Sequence, residues 1–198
     1  MSAVGEQRAA TVAAQLDRMR PTTFAHSRRV AALAVRVARH ARIPSQLVAE
    51  IYWGALVHDI GELSVTRAVF DKPAALDDNE RLTMWEHTIV GARWLSGVPG
   101  LAPLVPFARW HHERFDGLGY PDGATAQQVP LTVALVSVCD AWDALTESRP
   151  YREPLSHEAA ATEMWAHAGR QWSRALVTWT VDCAKQRSPG SSSPRRSS

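Results

Sequence analysis

Along most of the chain, apolar residues recur every three or four positions, and the pattern predicts one helix after another. The first runs from about Ser2 to Arg20 and is stopped by Pro21. From Phe24 to Ala41, Val30, Leu33, Ala34, Val37 and Ala41 share one face. Pro44 and Ser45 open a third helix that runs through Trp53 to His58 and ends at Gly61. Asp77, with Glu80 three residues on, predicts a capping box for a helix that closes near Ser96 and Gly97. "LAPLVPFARWHHE" reads as a helix with Pro103 and Pro106 near its start, and "RFDGLGYPDGATAQQ" as a long loop rich in turn residues. "LTVALVSVCDA" has the composition of a buried strand, but its helical continuation through Asp143 favours a helix opened by Pro130. Two more helices are expected near Ser156 to Ala168 and Ser173 to Gln186. No stretch alternates with period two, and there is no internal repeat. The expectation is an all-α, single-domain bundle of about seven helices. Residues 1–20 form an N-terminal helical extension, 21–186 the domain, and 187–198, "RSPGSSSPRRSS", a disordered tail.

Composition narrows the function more than the fold. With 198 residues, 45% of them hydrophobic and 21% charged, the chain reads as an ordinary globular domain. A net charge of +2 gives no case for a nucleic-acid polymer as partner. Cys139 and Cys183 lie far apart without metal-ligand spacing, which fits a reducing compartment. No apolar run reaches the length of a membrane span, and "MSAVGEQRAATVAAQLDRMR" lacks the apolar centre of a secretion signal. A cytoplasmic protein with no membrane partner is expected.

The polar residues inside apolar helices carry the chemistry. His26, His58, Asp59, His87, His111, His112 and Asp140 come from five predicted helices. Any one of them alone reads as a hydrogen-bonded core residue. Together they are expected to converge inside the bundle, as the inward-facing histidines and carboxylates of di-metal proteins do. Residues adjacent on a helix point about 100° apart, so the pairs His58-Asp59 and His111-His112 can each serve two ions. Imidazole and carboxylate donors suit Fe, Mn, Zn or Ni. Two such ions would hold a phosphate and activate a water.

On these residues the chain resembles the HD-GYP branch of the HD phosphohydrolases. "HDIGE" matches the HD signature, and "HHERFDGLGYPDG" matches the long segment that names the branch. "AHSRRVA", "EHTIVGARWL" and "CDAWDALTESRPYR" match the remaining blocks, so the resemblance covers about Pro21 to Ala184. It implies an all-helical, bacterial signalling phosphodiesterase that hydrolyses cyclic di-GMP to pGpG or GMP. It implies His26, His58, Asp59, His87, His111, His112 and Asp140 as metal ligands, with Asp59 bridging two ions, Fe or Mn first and Zn or Ni next. Arg149 and Arg152 would face substrate phosphate. Gly119, Tyr120 and Pro121 would shape the edge of the site and meet partners such as diguanylate cyclase (GGDEF) domains, and a homodimer is among the expected assemblies.

Two departures bear on that expectation. The HD block of the family ends in lysine, where this chain has Glu62. A glutamate there opposes an anionic substrate, supplies a further ligand or general base, or faces solvent. The first outcome would leave a module that binds cyclic di-GMP or a partner without turnover, and another phosphate ester is the third reading. Where some relatives hold a third metal through a glutamate, this chain has Thr22, so two metals are expected. Late in the chain, "GRQWSRALV" lacks the family's aspartate, a change expected to alter only helix capping. Asp143, one turn after Asp140, reads equally as a carboxylate that orients a ligand histidine and as a capping or solvated residue. Trp110 and Trp142 adjoin the ligands and read first as core fillers, second as platforms for a base.

Overall fold

The computed structural model describes residues 1–148 and 153–186, and every regular element among them is helical. In chain order these are α1 (Ala3–Met19), α2 (Pro21–His40), α3 (Ser45–Val57), α4 (Arg67–Phe70), α5 (Asp78–Ser96), α6 (Val105–Trp110), α7 (Leu131–Thr146), α8 (His157–His167) and α9 (Arg174–Lys185). Short 3-10 turns cover Ile60–Ser64 and Ala102–Leu104. The all-α, single-domain expectation holds. Nine α-helices stand among the described residues against about seven expected: α1 is the N-terminal helix expected from Ser2 to Arg20, and α4, a single turn, is too short to show a period.

The ends of these helices follow from their sequence. Ser2, Ser156 and Ser173 cap α1, α8 and α9 by accepting from backbone amides three residues on. Ser173 thus fills the capping role in the segment that lacks the aspartate. Asp77 and Glu80 form both halves of the capping box, at 2.9 Å each. Arg174 to Lys185 then needs no acidic first turn to start.

α2 lies at the centre, packed against α1, α3, α7 and α9. Its buried face is Val30, Ala31, Leu33, Ala34, Val37 and Ala38, and the alanines let neighbouring helices come close. α1 sends Ala9, Val12, Ala13 and Leu16 into the same core. Phe107 of α6 is buried over the bare backbone of Gly54 in α3, where a Cβ would lie 2.4 Å from its ring. Burying such a ring stabilises the fold by about 1.5–3 kcal/mol.

Two contacts fix the stretch that follows α3. Arg20, buried between α1 and α2, donates to the Val65 carbonyl at 2.7 Å and lies 4.3 Å over the Phe70 ring. Gly61 lets α5 approach: a Cβ on it would fall 1.9 Å from the His87 carbonyl oxygen and 2.7 Å from the Gly91 nitrogen. The sequence suggests Gly61 as a helix stop. In the structure α3 ends at Val57, Gly61 lies outside the left-handed region, and its function is this close approach.

Candidate metal centre

Five segments deliver the seven polar side chains to one place. His26 comes from the first turns of α2, His58 and Asp59 from the end of α3, His87 from α5, His111 and His112 from the end of α6, and Asp140 from α7. His58, His87 and His111 are each no more than 2% exposed, and Asp59 is 7% exposed.

Asp59 stands between two groups of donors. Its Oδ2 lies 3.1 Å from His58 Nε2 and 3.9 Å from His26 Nε2, and its Oδ1 lies 3.3 Å from His111 Nε2 and 3.6 Å from His87 Nε2. On the Oδ2 side, Asp140 approaches His26 Nε2 at 2.9 Å. The two groups, His26 with His58 and Asp140, and His87 with His111 and His112, each gather their donor atoms within 4.8 Å. They meet through Asp59, as one carboxylate shared by two cations would require.

Most of the imidazoles are held so that Nε2 faces inward. His58 bonds through Nδ1 to the Ala55 carbonyl at 2.8 Å, His87 to Met84 at 2.6 Å, and His111 to Phe107 at 2.9 Å. A backbone carbonyl can only accept, so each Nδ1 carries a proton, and in its neutral form each imidazole offers the Nε2 lone pair to a metal. His26 Nδ1 instead meets Asp143 at 2.7 Å, in the ligand-orienting one of the two readings of that carboxylate. Asp143 is itself clamped by both nitrogens of the Arg29 fork, each at 2.8 Å. Sequence reading missed Arg29, although its spacing one turn before the α2 core residue Leu33 and three residues after His26 puts it on the His26 flank.

His58 Nε2 is fully buried, and Asp59 Oδ2 at 3.1 Å faces it without the alignment of a hydrogen bond. In the neutral imidazole this nitrogen is a buried acceptor with no donor facing it, which is costly and which a cation satisfies, so the residues present fit divalent metals of the imidazole-preferring kind.

Charge differs between the two halves of the metal-free protein. Burial works against a charged His26, but hydrogen bonds to Asp140 and Asp143 outweigh it and hold its pKa up at about 10. Burial also opposes a charge on His58, and Asp59 overcomes it, to about 9. Burial would raise Asp59, yet the neighbouring His58 and His111 hold it well below the carboxylate range. In the other half, burial and the adjoining His111 push His87 down to about 4 and His112 lower than its ordinary value.

Glu62 lies in the 3-10 turn beside this centre, half-buried, and accepts from the Thr23 hydroxyl at 2.7 Å. Burial first, and the Asp59 charge second, raise its pKa to about 8. The sign of the consequence is fixed. From the ordinary glutamate value of about 4.3 up to about 8, the folded chain keeps a proton that the unfolded chain has lost. This contribution to stability is full at low pH and disappears as pH rises through that window. Chelator-treated Glu62→Gln is expected to lack this slope, so urea melts at pH 5.5 and 8.5 should show the variant gaining on the parent at the higher pH. Parallel profiles would contradict the assignment.

The loop from His112 to Pro130 wraps the edge of the centre. Gly119 packs directly on the backbone it follows: a Cβ there would lie 2.5 Å from the Arg114 nitrogen and 2.6 Å from the His112 oxygen. Glu113, unnoticed in the sequence, is buried and accepts from the amides of Asp122 and Ala124 at 2.7 and 2.9 Å, pinning the far end of the turn. Tyr120 stacks on His112, ring centroids 4.8 Å apart, and Pro121 follows it through a cis peptide bond. Arg149 and Arg152 lie outside the described residues. The two candidate stacking tryptophans are engaged elsewhere: Trp110 donates to Asp122 at 2.7 Å, and Trp142 is buried with its ring against His157. The tryptophan tied to the centre is Trp85 of α5, which stacks on Tyr120 at 4.6 Å and through it backs His112. With His112 and Tyr120 it lines a cavity of about 220 Å³ that extends to Gln171 and Trp172.

The chain is similar to known proteins in sequence and in fold. The chain is 35% identical over 157 residues to a cyclic di-GMP phosphodiesterase of Thermotoga maritima, covering 78% of this chain and 43% of that protein. It is 37% identical over 159 residues to a cyclic di-GMP phosphodiesterase of Pseudomonas aeruginosa, covering 78% of this chain and 38% of that one. It therefore spans about two fifths of the length of these curated relatives. Among solved structures, the HDG"Y"P protein Bd1817 of Bdellovibrio bacteriovorus superposes with a TM-score of 0.69 at 21% identity, over 83% of this chain and 53% of that one, a likeness of fold. No helix among the described residues is long and apolar enough to cross a membrane. The HD domain profile matches residues 11–176, a span that holds all seven convergent side chains, and the chain belongs to the HD domain family.

Proposed function

We propose that this domain is a metal-dependent phosphodiesterase that hydrolyses a cyclic dinucleotide, cyclic di-GMP foremost, to pGpG or GMP. The observation that carries the reading is the pair of donor groups joined through Asp59, in a chain whose relatives bear the names of cyclic di-GMP phosphodiesterases. One ion would be held by His26, His58 and Asp140, the other by His87, His111 and His112, with Asp59 shared; Fe or Mn suits this donor set first. When bound, such ions supply electrophilic stabilisation of a phosphate and a water activated for attack.

The chain's own residues do the rest. The backbone carbonyls of Ala55, Met84 and Phe107 keep Nε2 of three histidines aimed inward. Arg29 and Asp143 do the same for His26. Burial of His58, His87 and His111 keeps bulk water from competing for the donors. Tyr120 and Gly119 close the edge of the site. The test is hydrolysis of cyclic di-GMP by protein loaded without oxygen with Fe, Mn or Zn in turn, with products resolved by chromatography. Metal-dependent appearance of pGpG or GMP is expected. Cleavage of a generic phosphodiester such as bis-p-nitrophenyl phosphate without cleavage of cyclic di-GMP would transfer the activity to another ester.

Glu62 bears on a second reading, a centre impaired by a negative charge beside an anionic substrate. Its carboxyl accepts from the Thr23 hydroxyl of α2 and keeps its proton up to about pH 8 in the metal-free protein, so it opposes the substrate only where it ionises. Glu62→Gln is therefore expected to lower KM for the dianionic substrate several-fold at pH 9, where Glu62 is ionised, while kcat stays within a few-fold. A general base would instead give a kcat lower by about 10²-fold or more at unchanged KM.

A further inference from the structure

Four of the five histidines in the centre have their rings fixed by a hydrogen bond at Nδ1, and His112 does not. Among the described residues, no hydrogen bond reaches its ring. Its neighbours are rings: His111 at 4.1 Å, His87 at 5.2 Å, and Tyr120, nearly parallel at 27° with centroids 4.8 Å apart. Tyr120 is in turn covered on its other side by Trp85, 4.6 Å away and only 16° from parallel. Tyr120 sits on a loop and Trp85 on α5, about two turns into a helix whose start is fixed by a capping box. Met84, the residue beside Trp85, supplies the carbonyl that orients His87. The same turn of α5 thus sets two histidines of one donor group, one through a hydrogen bond and the other through a stack.

We propose that Trp85 is a positioning residue for the metal held by His87, His111 and His112: by clamping Tyr120 it sets the plane of the His112 ring, replacing the hydrogen bond that the other histidines have. The physical reason is that a donor histidine left free about its side-chain torsions must lose that freedom when it binds. Offset aromatic stacking supplies about 0.5–1.5 kcal/mol per pair beyond burial, enough to restrict one ring. Tyr120 alone would be a loop residue packed on one face. With Trp85 against it, the ring is confined from both sides. Trp85 is 39% exposed, so a smaller side chain there leaves the core intact.

The inference rests on the metal-centre reading, and its test needs no substrate. Wild type, Trp85→Leu, Trp85→Phe, Tyr120→Leu and the double leucine variant are titrated with Mn²⁺ against a competing chelator, and bound metal is counted by elemental analysis. Wild type is expected to bind two equivalents. Trp85→Leu should weaken one of them by about 2–10-fold, the worth of the one stacked pair it removes, and leave the other unchanged. Trp85→Phe, which keeps a stacking face, should recover most of the loss. Because Trp85 and Tyr120 act through one ring, the double variant should lose no more than Tyr120→Leu alone. Two wild-type affinities in Trp85→Leu, or losses that add in the double variant, would overturn the proposal, whether the variant melts at a lower temperature or not. A protein that fails to hydrolyse cyclic di-GMP yet shows this split in metal affinity would overturn the proposed substrate and leave the role of Trp85 standing.

Discussion

Asp59→Asn is expected to cost the protein both of the proposed metals and, with them, the proposed phosphodiesterase activity. Each carboxylate oxygen faces a different donor group, Oδ2 toward His26 and His58, Oδ1 toward His87 and His111. An amide has the same shape, but it carries no charge and turns one of its two acceptors into a donor. Whichever way it turns, an N–H is aimed at one pair of histidines. Metal stabilisation of a phosphoryl transition state is worth several kcal/mol, and each 1.36 kcal/mol is tenfold in rate. Turnover should therefore fall by about 10³-fold or more, measured as cyclic di-GMP cleaved at saturating Mn²⁺. Metal-induced stabilisation should vanish in the same variant, so thermal melts with and without Mn²⁺ should coincide. A variant that still binds two equivalents would mean that Asp59 does not join the two groups.

Gly61→Ala is the second large effect, and it acts through backbone packing. The added methyl would sit 1.9 Å from the His87 carbonyl oxygen and 2.7 Å from the Gly91 nitrogen. Neither is the end of a flexible side chain, so α5 itself must move away from the turn that follows Asp59. Overpacking of this kind costs about 1–3 kcal/mol, which for a chain of this size lowers Tm by about 2–4 °C per kcal/mol. The larger effect is on the centre, because α5 carries His87 and Trp85. A displacement of about 1 Å in a catalytic constellation costs about 10²-fold. The expected result is a folded helical protein by circular dichroism, modestly less stable, with one metal site weakened and turnover reduced by about that factor. Gly91→Ala should be milder, since its Cβ would meet the Gly61 nitrogen at 3.1 Å and the Ala108 methyl at 3.4 Å. Wild-type turnover in Gly61→Ala would show that the glycine is replaceable and that α5 is not held by it.

The helices and the convergent polar side chains were legible because both follow from local pattern. Apolar spacing found Val30, Leu33, Ala34 and Val37 on one face of α2, and the capping box at Asp77 is a three-residue signal. Polar side chains inside apolar helices have to be satisfied, which singled out His58, His87 and Asp140 before any coordinates. What escaped the sequence depends on contacts between segments distant in the chain. Gly61 faces the backbone of residues 87 and 91, and nothing near Gly61 says so. Arg29 is one of many arginines until Asp143 is seen in its fork, 114 residues away. Glu113 reads as a surface charge beside the histidines until the amides of Asp122 and Ala124 turn back onto it. Trp110 and Trp142 drew attention by adjoining candidate ligands in sequence, but neighbours on a helix point in different directions. Trp85, two residues before His87, is tied to the centre because the intervening loop brings Tyr120 to it.

The most direct test of the account is diffraction from Mn²⁺-loaded crystals at the manganese absorption edge. It predicts two anomalous peaks on opposite sides of the Asp59 carboxylate, one among His26, His58 and Asp140 and the other among His87, His111 and His112. A single peak, or peaks that do not share Asp59, would contradict it.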